Sequence, residues 1–187
     1  MKTFNYLALA TTALFTFASC SNDDSTTPVN EEEVITTITT TLTGGGQVIT
    51  LTSKDLDGDG PNAPVVTVSG PLTAGTTYNG NVKFSNELAN PAEDITIEIQ
   101  EEGDHHQLFF QAPAAIGTFT YNDLDEDGKP IGLSFKLVAG NAATTGNLVV
   151  TLIHHPEKSA TGVANGEITN AGGSTDAQVT YPIQIVN

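Results

Sequence analysis

Short segments in which apolar and polar residues alternate recur along this chain, and they constrain its fold more than any other feature. In residues 117–122, Phe119 and Tyr121 alternate with threonine. Alternate residues of a strand point to opposite faces of a sheet, so this period of two predicts strands with one buried face. The 28 threonines and the absence of tryptophan agree with a preference for strands. We predict about nine strands, near residues 34–43, 47–53, 64–70, 80–86, 105–112, 117–122, 131–138, 146–154 and 176–186.

These strands predict an all-β fold, either an antiparallel β-sandwich or a closed barrel, in a single domain over residues 34–187. The acidic segment of residues 55–60 is similar to residues 123–128, which lie 68 positions later. The similarity extends without a gap over residues 36–60 and 104–128. We therefore predict two internal repeats, about 34–103 and 104–187, related by a pseudo-two-fold axis.

Residues 91–102 fit two structures. Asn90, Pro91 and Glu93 occur in the order of a helix N-cap, first position and third position, which favours a short helix. Ile95, Ile97 and Ile99 alternate with polar residues, which is a strand pattern. We predict the helix and keep the strand as its alternative.

The first 19 residues have the features of an export signal: Lys2, an apolar stretch over residues 7–17, and small residues before Cys20. The segment Phe17-Ala-Ser-Cys20 resembles the lipobox of bacterial lipoproteins. That resemblance implies that Cys20 becomes the acylated mature N-terminus and anchors the protein in a membrane. The alternative is a leftover cysteine in a conventionally cleaved signal.

The polar residues 20–33 have little to bury and are expected to form a flexible acidic tether. Within this tether, Ser21-Asn-Asp-Asp24 resembles an export signal that carries lipoproteins to the outer face of the outer membrane. The resemblance implies the cell surface, with the periplasmic face as the alternative. A net charge of −16, with six lysines and no arginine, argues against nucleic acid as a partner.

Two Asp-x-Asp-x-Asp-Gly loops predict calcium sites. Alternate carboxylates in a tight turn converge on one point, and the glycine allows the sharp bend. Neither loop has the glutamate that ends an EF-hand, so both resemble the EF-hand-like hairpin loops of extracellular proteins; ordinary acidic turns are the alternative. The candidate ligands are Asp55, Asp57 and Asp59 in the first loop and Asp123, Asp125 and Asp127 in the second.

Two adjacent histidine pairs lie at predicted strand ends, residues 105–106 and 154–155. Adjacent strand residues face opposite ways, so one pair cannot chelate an ion by itself. One histidine from each pair, His106 and His154, could bind zinc or copper if the strands adjoin, with Asp104 or Glu157 nearby. The alternative is a set of polar strand ends with no metal.

The sequence has no nucleophile elbow, zinc-protease motif or phosphate-binding loop, so we predict that the protein is not an enzyme. We expect a surface-anchored binding or adhesion module for an unidentified extracellular ligand or protein. The alternatives are a β-barrel carrier of a small apolar ligand and, after it, an extracellular hydrolase with two convergent acids.

The lipobox, the loop Lys54–Pro64 and the segment Gly166–Gly173 together resemble a group of uncharacterised bacterial lipoproteins. Its members are often labelled type 1 periplasmic binding fold superfamily proteins. That label implies two α/β lobes, whereas the length and periodicity of this chain predict one β domain. The resemblance implies no particular activity.

Replacing Cys20 tests the lipid anchor. A fatty-acid probe fed to expressing cells should label the wild-type protein and leave Cys20→Ala unlabelled, because the acyl chains attach to this residue. Equal labelling of both proteins would contradict the anchor.

Overall fold

A computed structural model describes residues 33–58 and 60–187, and this part of the chain is an all-β domain, as predicted. It contains eleven strands, one short α-helix, α1 (Ile95–Glu101), and two 3-10 turns, Val163–Asn165 and Ile168–Asn170. The strands are β1 (Thr37–Gly44), β2 (Gln47–Lys54), β3 (Val65–Val68), β4 (Leu72–Thr73), β5 (Thr77–Asn86), β6 (Glu93–Asp94), β7 (His106–Gln111), β8 (Gly117–Tyr121), β9 (Ser134–Ala139), β10 (Thr144–His154) and β11 (Ser174–Val186). Each of the nine predicted segments overlaps one of the longer strands, and the other two strands, β4 and β6, have two residues each.

The strands form two sheets. The first has the order β3-β2-β1-β5-β9-β8, with β6 added beside β5, and the second has the order β4-β11-β10-β7. All pairs are antiparallel except β4 with β11. In β5 the alternation is complete from Thr77 to Phe84: Tyr78, Gly80, Val82 and Phe84 are buried, and the residues between them are exposed.

The two sheets pack face to face as a sandwich. Their buried side chains form one hydrophobic core, in which Leu42 and Phe135 of the first sheet and Val150 and Tyr181 of the second take part. The Tyr181 hydroxyl donates to the carbonyl oxygen of Ile38 across the two sheets at 3.3 Å.

The second sheet is also covered on its outer face. The segment of residues 155–173 carries Val163 and Ala171 onto Phe109 of β7 and Ile153 of β10, which makes a second, smaller core. Where β7 and β10 pair, they are therefore buried on both faces, with Leu108 and Leu152 in the main core and Phe109 and Ile153 in the smaller one.

The two predicted repeats contain strands at equivalent positions, but the strands do not pair in the same way. Strands β1 and β2 form a hairpin in the first sheet, whereas their equivalents β7 and β8 lie in different sheets. The β1–β2 turn contains Gly45 and Gly46 with φ of 57° and 76°, the conformation of a tight hairpin turn. The equivalent connection, residues 112–116, contains Pro113 and crosses between the sheets instead. The halves therefore do not form matching meanders.

The predicted short helix is present, but it begins later than its sequence pattern indicated. Its N-cap is Asp94, whose side chain accepts from the backbone N–H of Thr96, and not Asn90. A helix brings Ile95 and Ile99, four residues apart, onto one buried face, while Ile97 points away and is 58% exposed. Within the described residues, no helix has the length and apolarity needed to cross a membrane.

Two substitutions in α1 separate the helix from the alternative strand. Ile99→Ala should lower the free energy of unfolding by about 2–5 kcal/mol, because it leaves a cavity in the core. Ile97→Ala should lower it far less, because the side chain is already exposed. Chemical denaturation of both variants measures the difference. Equal losses would contradict the helix, since the three isoleucines of a strand would share one face.

Candidate metal centre

His106 and His154 are brought together by strand pairing. They lie directly opposite each other in the β7–β10 register, and their ring centroids are 4.6 Å apart. Both side chains are almost completely buried. His106 lies two residues before Leu108 in β7, and His154 lies two residues after Leu152 in β10, so each imidazole is on the same face as its leucine. Both leucines are in the main core, so the imidazoles lie at one end of the space between the sheets.

The acidic partners of these histidines are Glu33 and Asp176. Glu33 Oε1 lies 3.0 Å from His106 Nε2, and Asp176 lies 3.7 Å from the same nitrogen through Oδ2 and 3.6 Å from His154 Nδ1 through Oδ1. The four side chains are between 0 and 8% exposed. One ligand atom from each of the four residues lies within 4.8 Å of the other three.

The acids that the sequence indicated, Asp104 and Glu157, are not part of this cluster. The Asp104 carboxylate lies 3.4 Å from the Nε2 atom of the exposed His105. Glu157 lies in an exposed turn, where its carboxylate accepts from the backbone N–H of Ser159. Proximity in sequence did not indicate the acids nearest the buried histidines, because Glu33 and Asp176 come from distant segments of the chain.

A β-bulge explains why Asp176 is in the cluster. In the β10–β11 pair, Ile153 lies opposite Thr175 and Leu152 lies opposite Ala177, which leaves Asp176 as the extra residue. A bulge re-aims side chains that regular alternation would place on the other face. The even-numbered neighbours of Asp176 further along β11 are exposed, so alternation alone would also have placed Asp176 at the surface.

Glu33 corrects the predicted tether of residues 20–33, because its side chain is only 2% exposed. The chain that comes after it is fixed to β5: Thr36 donates to the carbonyl oxygen of Ser85 through both its backbone N–H, at 3.0 Å, and its hydroxyl, at 3.1 Å. Ile35 packs against the core. The folded domain therefore includes Glu33. The predicted signal, Cys20 and most of the tether lie outside the described residues.

The end of helix α1 fixes the orientation of the His106 ring. Nδ1 lies 3.1 Å from the carbonyl oxygen of Glu102, the C-cap of α1. A carbonyl only accepts hydrogen bonds, so Nδ1 carries the proton and the neutral ring has its lone pair on Nε2. Burial lowers the pKa of His106 and outweighs the opposing effects of the Glu102 carbonyl and the Glu33 charge, which favours the neutral ring. Nε2 then faces two carboxylates with a lone pair.

The cluster offers nitrogen and oxygen atoms of the kinds that bind zinc. A tetrahedral zinc ion with bonds of about 2.0–2.2 Å needs ligand atoms about 3.3–3.6 Å apart. The three close contacts here are 3.0, 3.6 and 3.7 Å, the last two to different oxygens of Asp176, and one ligand atom from each residue lies within 4.8 Å of the others. A histidine whose other nitrogen donates to a backbone carbonyl is the usual arrangement at metal sites. Glu33 Oε2 is buried and accepts no hydrogen bond from the residues that the structure describes.

The second acidic loop, predicted to bind calcium, is held together by the chain itself. Asp123 accepts from the backbone N–H groups of Gly132, at 2.9 Å, and Ser134, at 3.0 Å. Asp125 accepts from the Lys158 ammonium at 2.7 Å, and their side chains are only 1% and 6% exposed. Lys158 also donates to the carbonyl oxygens of Gly103 and Pro130. Lys158 therefore places a positive charge beside Asp125 in this loop.

The first acidic loop shows ordinary turn contacts. The Asp55 carboxylate accepts from the backbone N–H groups of Asp57, at 3.2 Å, and Gly58, at 2.9 Å. Asp57 accepts from the side chain of Asn62 at 2.7 Å. Asp59 lies outside the described residues. Calcium binding stays a prediction at both loops, at Asp55, Asp57 and Asp59 in the first and at Asp123, Asp125 and Asp127 in the second.

Comparison with known proteins adds no assignment. No protein-family model matches the sequence, and neither a curated protein nor a solved structure is detectably similar to it. The function of this protein is therefore inferred from the geometry of its own chain.

The buried pair in the second loop gives a prediction for stability. Lys158→Met should lower the free energy of unfolding by about 3–5 kcal/mol, because it leaves the Asp125 carboxylate buried without its cation. The double variant Lys158→Met/Asp125→Asn should regain most of this loss. As a control, Lys83→Met at the exposed Lys83–Asp94 pair should have a much smaller effect.

The pH dependence checks the same pair. Burial raises the pKa of Asp125, but the hydrogen bonds from Lys158 and the loop outweigh it, so the net pKa lies below the ordinary 3.8. A lowered pKa contributes stability above the unfolded-state pKa and loses it as the pH falls through the folded-state pKa. The advantage of wild type over Asp125→Asn should thus be constant at neutral pH and shrink below about pH 4. An advantage that grows on acidification would contradict this assignment.

Proposed function

We propose that this protein is an exported, lipid-anchored and non-catalytic module that binds one divalent transition-metal ion of the zinc class. The ligands are Glu33, His106, His154 and Asp176. The observation that carries the proposal is their convergence: four segments distant in sequence each bring one buried ligand atom within 4.8 Å of the others.

Electrostatics support an ion at this position. Two carboxylates buried together are strongly unfavourable unless a cation compensates them, because the interior solvates charge poorly. The lowered pKa of buried His106 favours a neutral ring, which does not supply that cation. A divalent ion would balance the two carboxylate charges and give the converging ligand atoms one common partner. Imidazole with carboxylate is a donor set that zinc and its neighbours accept.

Four protein ligands support a binding role over a catalytic one. Catalytic zinc sites keep an open position for water or substrate, whereas structural sites are closed by four protein ligands. Here the ion would link the start of the domain to β7, β10 and β11. It would stiffen one end of the sandwich, as suits a module that presents a binding or adhesion surface.

The packed interior supports the module over the carrier. The space between the sheets is filled by large side chains such as Tyr78, Phe84 and Tyr181, each at most 1% exposed. A barrel carrier needs an internal cavity for its ligand. Anchoring through Cys20 and display at the cell surface remain part of the proposal on the strength of the sequence. Calcium at the acidic loops is an additional, independent proposal.

Metal titration of the chelator-treated protein tests the site. Native mass spectrometry should show one zinc per chain, and free zinc at 100 times its Kd should stabilise the domain by about 2.7 kcal/mol, or about 5–10 °C in Tm. Calcium at the same ionic strength should not replace zinc, because it prefers oxygen ligands. Asp104→Asn and Glu157→Gln are matched controls that should bind zinc like the wild type.

The variant Asp176→Asn separates a metal site from a plain ion-pair network. If the cluster is a metal site, the variant should lose zinc binding but melt no lower than the metal-free wild type, because it removes one of two carboxylates that are buried close together. If the histidines are instead imidazolium partners of the acids, the variant should melt lower in chelator, and zinc should stabilise neither protein. That second pattern would overturn the proposed function.

A further inference from the structure

A second pair of imidazoles, His105 and His155, lies next to the proposed metal centre. Their ring centroids are 4.5 Å apart, and the His155 ring is 4.3 Å from that of His154. With the 4.6 Å contact between His154 and His106, the four rings form one continuous series.

This series runs from solvent to the interior. The His105 side chain is 47% exposed and His155 is exposed, whereas His106 and His154 are at most 3% exposed. His154 joins the exposed pair to the buried cluster, since its ring contacts His155 on one side and His106 on the other. Imidazole suits this arrangement, because a neutral ring can bind a metal ion through the nitrogen that carries no proton.

The backbone holds the outer pair in place. His155 has φ of 49°, in the left-handed region that residues other than glycine rarely adopt. Its N–H donates to the carbonyl oxygen of His105 at 2.7 Å, which extends the β7–β10 ladder by one step beyond the strands. Strained backbone of this kind persists only where surrounding structure fixes it, and it clusters at functional sites.

We propose that His105 and His155 are a capture site that takes a zinc-class ion from solution and passes it through His154 to the buried cluster. This inference rests on the proposed function. Transfer is stepwise ligand exchange: an imidazole nitrogen of the outer pair gives up the ion as a nitrogen of His154, and then the other three ligands, bind it. The oxidation state of the metal does not change, and no covalent bond of the protein is broken.

A competing route exists on the carboxylate side. Glu33 and Asp176 line an open surface cavity of about 490 Å³, together with Asp55 of the first acidic loop. An ion attracted by these carboxylates would reach the cluster without touching the outer histidines. The histidine route is favoured because it offers nitrogen ligands at every step, but the experiment has to separate the two.

The test is the rate of zinc uptake and loss in the full-length protein, followed by stopped flow with a fluorescent zinc indicator. The double variant His105→Gln/His155→Asn removes the outer pair, and asparagine tolerates the left-handed backbone at position 155. Uptake and release should both slow by about tenfold or more while Kd stays within about twofold, because a change of route alters both rates equally. Asp55→Asn, on the cavity side, should leave both rates unchanged.

Three results would overturn the capture site. Wild-type rates in the double variant, with slow uptake in Asp55→Asn, would assign the route to the cavity. Faster release alone would make the outer histidines part of the binding site and not of its route. Unchanged rates in both variants would exclude both routes. Failure of the proposed function is distinct from all three, since the wild-type protein itself would then bind no zinc.

Discussion

Burial of the His106–His154 pair at one end of the sandwich accounts for the irregular segments that surround it. Two imidazoles opposite each other in the β7–β10 register, closed off from solvent, need partners that the sheets alone do not provide. The surrounding irregularities each supply one. The end of α1 brings a carbonyl to His106, the bulge in β11 turns Asp176 inward, and the chain before β1 folds back to place Glu33.

The scarcity of positive charge in this chain explains why its two buried acidic centres differ. With six lysines, no arginine and a net charge of −16, few cations are available to compensate buried carboxylates. At the second acidic loop the chain uses one of its own, Lys158, which has the Asp125 carboxylate and two carbonyl oxygens as acceptors. Around Glu33 and Asp176 the partners are imidazoles instead. The proposed metal ion would bring to Glu33 and Asp176 the positive charge that Lys158 brings to Asp125.

The proposed metal would also involve the start of the described chain. Glu33 is the first residue that the structure describes, and it is the last residue of the segment that the sequence predicts to be a tether from Cys20. An ion held by Glu33 and by three strands of the second sheet would fix the point at which the tether ends.

Local patterns in the sequence were enough to predict the strand positions, the short helix and the two histidine pairs, because alternation, capping and residue chemistry are local properties. It did not determine which strands pair, since the same alternation in β1–β2 and β7–β8 leads to a hairpin in one case and to two different sheets in the other. It also missed Glu33, Asp176 and Lys158. Glu33 belonged to a polar run, Asp176 is turned inward only by a bulge in its pairing with β10, and Lys158 meets Asp125 across 33 residues of chain. These contacts depend on long-range register, which only the packed tertiary structure sets.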